Sequence, residues 1–119
     1  MILAVLDDLM FTSKIKSTAT HLGVALAFAR SAEAALAEMR KSPPALVIFD
    51  LNNARTNPPA ILAAMKADVA LAGIPTLGFV SHVDTASIEA ARNAGIGEVL
   101  PRSAFTVQLA DILARDQRV

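Results

Sequence analysis

Cysteine is absent from the 119 residues, and so are tryptophan and tyrosine. The first absence removes disulfides, thiolate nucleophiles and cysteine-based zinc sites. The second leaves no Trp or Tyr to stack on an isoalloxazine, which argues against a flavin carrier. An excess of one charge is also missing. Lys plus Arg number 11 and Asp plus Glu number 11, giving a formal net charge of zero, so nothing points to nucleic acid or a membrane surface as a partner. The opening run Met1–Leu6 meets Asp7 and Asp8 at once and lacks a basic n-region. It is too short for a signal peptide or a membrane span, and the protein is expected in the cytoplasm. No glycine-rich phosphate loop follows that run, and His21 and His82 are not at ligand spacing.

What the chain does have is apolar material: 54% of its residues are hydrophobic and 18% charged. That is enough for a buried sheet covered by helices, and the length suits one domain spanning residues 1–119. Short apolar runs predict strands at Ile2–Leu6, Val24–Phe28, Ala45–Phe49, Thr76–Val80 and about Glu98–Leu100. Stretches rich in Ala, Leu, Lys, Glu and Arg between them predict helices at Thr12–Leu22, Ala32–Lys41, Pro59–Leu71, Thr85–Ala94 and Ala104–Arg115. Gly23 and Gly95 stand just past helices, Ser31 and Ser103 at N-cap positions, and Pro58-Pro59 at a helix opening. Five strands alternating with five helices imply an α/β doubly wound parallel sheet.

In such sheets ligands sit beyond the carboxyl ends of the strands. The first strand runs into Asp7-Asp8 and the third into Asp50, followed by Leu51-Asn52-Asn53. Carboxylates about 4 Å apart repel by about 4 kcal/mol at an effective dielectric near 20, so a cation or a bound proton is expected among them. Oxygen ligands of this kind suit Mg²⁺. Each acid is also compatible with a purely structural role: Asp7 or Asp8 as a helix cap, Asp50 as the opening of a turn. Arg102 reads equally as a solvated base, Met10 and Phe11 as packing, His21 as a surface residue and His82 as a loop residue. Asn53–Pro58 reads as a mobile polar loop beside Asp50, suited to contact with a partner.

The segments Ile2-Leu-Ala-Val-Leu-Asp7-Asp8 and Ala45-Leu-Val-Ile-Phe-Asp50-Leu51-Asn52 resemble the two acidic signatures of bacterial response-regulator receiver domains. Ile74–Val80 looks like that family's fourth strand and Ala91–Gly95 like the turn closing its fourth helix, so the resemblance spans nearly the whole chain. It implies a flavodoxin-like receiver fold. Asp50 would accept a phosphoryl group from a histidine kinase or phosphotransfer protein. Asp7, Asp8, Asp50 and the main-chain carbonyl of Asn52 would hold Mg²⁺. Positioning and charge neutralisation then suffice for phosphoryl transfer, and the domain is not itself expected to be an enzyme. Output would pass to an unknown downstream protein. The fourth helix, fifth strand and fifth helix, Ser87 through Phe105, would serve as the partner face or a homodimer contact.

The sequence departs from the family pattern where the switch should be. Val80 occupies the position of the usual Thr or Ser, with Ser81 one residue late, and Arg102 that of the usual Lys. Ser81 and Arg102 remain candidates to contact the phosphoryl group. Val99 stands where many members carry an aromatic switch residue. Valine matches threonine in volume but cannot donate a hydrogen bond, a loss of about 1.5 to 3 kcal/mol at a charged group. Two readings follow: an atypical phosphoacceptor with blunted switching, or a phosphorylation-independent pseudo-receiver that docks partners. A small enzyme or cofactor binder is disfavoured, because a haloacid-dehalogenase-type phosphatase needs acids two apart where these are adjacent. The chain stops soon after its fifth helix, which suggests either a stand-alone regulator or a receiver taken from a longer protein.

Overall fold

Strands and helices alternate along the chain in the computed structural model, which describes residues 1–81 and 84–117. The strands are β1 (Ile2–Val5), β2 (Leu26–Ala29), β3 (Leu46–Asp50), β4 (Thr76–Val80) and β5 (Glu98–Pro101). The helices are α1 (Leu9–Leu22), α2 (Ala32–Lys41), α3 (Pro58–Ala67), α4 (Thr85–Asn93) and α5 (Arg102–Ala114), closed by a 3₁₀ turn at Arg115–Gln117. All strand pairs are parallel, in the order β2-β1-β3-β4-β5. The expected doubly wound α/β architecture is therefore the one observed.

Both faces of the sheet are covered, which explains why the strands read as continuous apolar runs rather than alternating ones. On one face Ile2, Ala4, Ile48 and Leu77 pack against α1 and α5 through Ile15, Phe105 and Leu109. On the other, Leu3, Val5, Val47 and Phe49 meet Met39 of α2, Ile61 and Leu62 of α3, and Ala91 of α4. The first face carries a trio of rings: Phe11 and Phe79 meet edge-on at 5.0 Å, Phe79 and Phe105 stack at 4.7 Å, and Phe11 and Phe105 lie tilted at 5.8 Å.

Element ends follow local hydrogen bonding, and several expected boundaries shift for that reason. Helix α1 begins at Leu9, ahead of Thr12, because Asp8 caps it: its carboxylate accepts from the Phe11 N–H at 3.1 Å. Strand β2 begins at Leu26 instead of Val24. Gly23, with φ of 71°, ends α1 in the left-handed region, and the Val24 N–H is spent on the Ala19 carbonyl at 2.9 Å. Helix α3 stops at Ala67 although the apolar run continues to Leu71. There the Asp68 side chain accepts from the Ala70 N–H at 2.9 Å, turning the chain so that Leu71 is buried.

Ser31 caps α2 by accepting from the Ala34 N–H at 3.1 Å, as expected. Ser103 does not cap α5. That helix opens directly after Pro101, whose extended backbone makes it the N-cap, so Ser103 already lies within the first turn. Pro58 and Pro59 occupy the first turn of α3, where a missing N–H costs nothing. None of the described helices is long and apolar enough to cross a membrane.

Candidate functional site

From β1 the chain turns to β2 on one side, whereas β3 lies on β1's other side, so the strand order reverses between β1 and β3. A crevice opens at the carboxyl ends of strands flanking such a reversal. Val5 of β1 is in register with Phe49 of β3. The residues that emerge into the crevice are therefore Asp7 and Asp8 from one strand and Asp50 from its neighbour.

Asp50 ends β3 and is only 9% exposed. Its Oδ1 accepts from the Asn52 N–H at 3.0 Å, an Asx turn that aims the carboxyl while bending the chain out of the strand. Burial raises its pKa above the ordinary value of 3.8, and the negative charges of Asp8 and Asp7 push the same way. The Asn52 N–H and the Arg102 guanidinium pull it back, but the net shift is upward. The three acids thus share one field.

Asp7 and Asp8 each face an arginine. Arg55 Nη1, from the loop between β3 and α3, stands 3.0 Å from Asp7 Oδ2. Arg102 Nη2, from the first residue of α5, stands 3.5 Å from Asp8 Oδ2. Asp8 is at once a helix cap and a member of the pocket. Arg55 is the residue that sequence reasoning missed: within a polar loop it reads as an ordinary surface base, and only the β1-β3 adjacency brings it over Asp7.

A string of hydrogen bonds crosses the crevice. The Ser81 N–H donates to Asn52 Oδ1 at 2.5 Å, and Ser81 Oγ accepts from Arg102 Nη1 at 3.2 Å. Arg102 then reaches Asp8. The ends of β3, β4, α5 and β1 are tied together in that order, with Asn52 contributing its side chain and N–H. Ser81 meets Arg102 across the site rather than aligning with the strand interior, where Val80 sits 7% exposed in the core of the α2–α4 face.

Val80 and Val99 line one cavity of about 400 Å³ together with Ile88, Leu100 and the Arg102 stem. The two positions that the resemblance marks as switch residues therefore face a shared space, and both are filled by short apolar side chains. His21 lies in the last turn of α1, and His82 is outside the described residues.

Three carboxylates are hard oxygen donors of the kind a small dication takes. As they stand, no group of three acids or histidines among the described residues is gathered to hold a metal. Asp7 and Asp8 are turned to guanidiniums. The chemistry of the donor set fits a dication.

No protein-family model and no curated protein matches the sequence. Solved structures do share the fold. A response regulator from Hahella chejuensis superposes with a TM-score of 0.83 at 17% identity, covering 99% of this chain and 96% of that one. The Mn²⁺-bound form of response regulator Rcp1 gives 0.77 at 17% identity, with 95% and 91% covered. The phosphorylated cyanobacterial phytochrome response regulator RcpA gives 0.75 at 22% identity, with 94% and 86% covered. The chain has the flavodoxin-like fold of response-regulator receiver domains, and the family resemblance read from its acidic signatures agrees with it.

Proposed function

We propose that this domain is an atypical receiver of two-component or phosphorelay signalling, a phosphoacceptor rather than an enzyme, that takes a phosphoryl group on Asp50. The observation that carries this reading is the position of Asp50, at the strand-order reversal and within the field of Asp7 and Asp8. Oδ2 of Asp50 attacks phosphorus while Oδ1 keeps the Asn52 N–H. The phosphorus–nitrogen bond of a partner's phosphohistidine breaks, the phosphorus–oxygen bond to Asp50 forms, and the departing imidazole takes up a proton. Asp7, Asp8, Asp50 and the Asn52 carbonyl would hold Mg²⁺, which would supply charge neutralisation at the phosphoryl oxygens. Arg102 and Ser81, already hydrogen-bonded to each other, would contact a phosphoryl oxygen. That RcpA was solved phosphorylated and Rcp1 with Mn²⁺ supports this chemistry for the fold. A cytoplasmic histidine kinase or phosphotransfer protein is the proposed donor, and the α4-β5-α5 face the proposed contact for a downstream protein or a second copy.

A second reading has its own observation. Arg55 and Arg102 already neutralise Asp7 and Asp8, and Val80 withholds the hydroxyl that would couple Asp50 to β5. A pseudo-receiver that docks partners without phosphate needs no more than this. Incubation with a small phosphodonor and Mg²⁺, followed by intact mass, separates the two. One added phosphoryl group in the parent and none in Asp50→Ala supports the phosphoacceptor. No added mass in the parent leaves the docking module.

A further inference from the structure

We propose that Arg55 is a tethered counterion that gates the acidic pocket, so that Asp7 accepts a divalent cation only when the Arg55 guanidinium leaves it. This inference rests on the reading of Asp7 and Asp8 as the pocket's cation ligands. The two arginines are held very differently. Arg102 is bonded to Ser81 Oγ and lies over the Phe11 ring, its Cζ 4.0 Å from the centroid, so it is held from two sides. Arg55 is 80% exposed, and the Asp7 contact is the ion pair its guanidinium makes. Of the two pairs, Arg55–Asp7 is the one that yields.

The loop that carries Arg55 is closed by its own hydrogen bonds. The Arg55 N–H donates to Asn53 Oδ1 at 3.1 Å, and buried Thr56 donates from Oγ1 to the Asn53 carbonyl at 3.2 Å. These local bonds give the loop its own turn geometry, so release of Asp7 needs only rotation of the exposed Arg55 side chain. A tethered cation of this kind competes with a dissolved one at a high local concentration. Arg55 therefore lowers the pocket's affinity for divalent metal without occupying Asp50.

Mn²⁺ binding followed by water-proton relaxation tests the gate on the full chain. The parent is compared with Arg55→Gln and with Arg40→Gln, whose arginine, in the last turn of α2, pairs with Asp68 just past α3. An exposed ion pair accounts for about a two- to fivefold effect. Arg55→Gln is expected to tighten Mn²⁺ binding by about that factor, and Arg40→Gln to leave it unchanged. Unaltered or weaker binding in Arg55→Gln, or equal tightening in Arg40→Gln, overturns the gate while leaving the Asp50 reading intact. If neither the parent nor Arg55→Gln binds Mn²⁺, the gate and the metal-assisted phosphoacceptor both fall.

Discussion

The guanidinium carbon of Arg102 lies 4.0 Å from the centre of the Phe11 ring, and Phe11 in turn packs on Phe79 and Phe105. The acidic pocket is thereby joined to the aromatic centre of the α1–α5 face. Exposed cation–π contacts contribute about 0.5–1 kcal/mol. The half-exposed pair with Asp8 adds no more than about the same again. Arg102→Ala is expected to lower stability in urea by about 1 kcal/mol. It should also raise the Asp50 pKa further, because Arg102 pulls that value down. Arg102→Lys should retain the electrostatic effect on Asp50 and weaken the guanidinium's contact with the Phe11 ring. Carboxyl-carbon NMR titration of Asp50 and urea melts read the two effects separately.

Asp50 also sets a pH dependence. Its folded pKa lies above the ordinary 3.8, so between that value and the raised one the folded state binds more protons than the unfolded chain. Stability contributed by this group is therefore present in acid and lost as pH rises through the folded pKa. Asp50→Asn keeps an oxygen for the Asn52 N–H and removes the buried charge. The variant should be more stable than the parent at pH 7, and the difference should close as pH falls below about 4. Urea melts of both proteins across that range check it, since contributions of unaltered groups largely cancel.

The ring trio predicts where the core is least tolerant. Phe79 is 1% exposed and touches both other rings. Phe79→Ala should cost about 3–5 kcal/mol in chemical denaturation, as large-to-small changes at buried aromatics do. A loss under about 1 kcal/mol would contradict the packing described.

Much of this was legible in the sequence because the apolar runs and the acids that end them are local signals. Asp7 and Asp8 come just after β1 and Asp50 is the last residue of β3, and parallel strands bring such ends to one edge. Boundaries were less legible where a side chain redirects the backbone: Asp8 starts α1 early, Gly23 and Val24 delay β2, and Asp68 stops α3 within an apolar run. Arg55 was invisible as a pocket residue because its partner lies 48 positions away in sequence. The link from Ser81 to Asn52 was not legible either, since it depends on how the loop after β3 folds over the end of β4.

Val80→Thr examines the switch. The substitution keeps volume but places a hydroxyl in a site 7% exposed, and should cost about 1 kcal/mol. In the phosphorylated protein it should extend backbone amide shifts to Ile88 and Val99, which share Val80's cavity. The parent should confine its shifts to the crevice. Equal responses from the two proteins would place the altered coupling elsewhere, at Arg102 first.

Borohydride reduction of the phosphodonor-treated protein, followed by peptide mass mapping, tests the central assignment most directly. An acyl phosphate at an aspartate is reduced to homoserine, which marks the residue that carried it. The account predicts homoserine at position 50, dependent on Mg²⁺ and absent from Asp50→Ala. Homoserine at position 7 or 8, or at no aspartate, would contradict it.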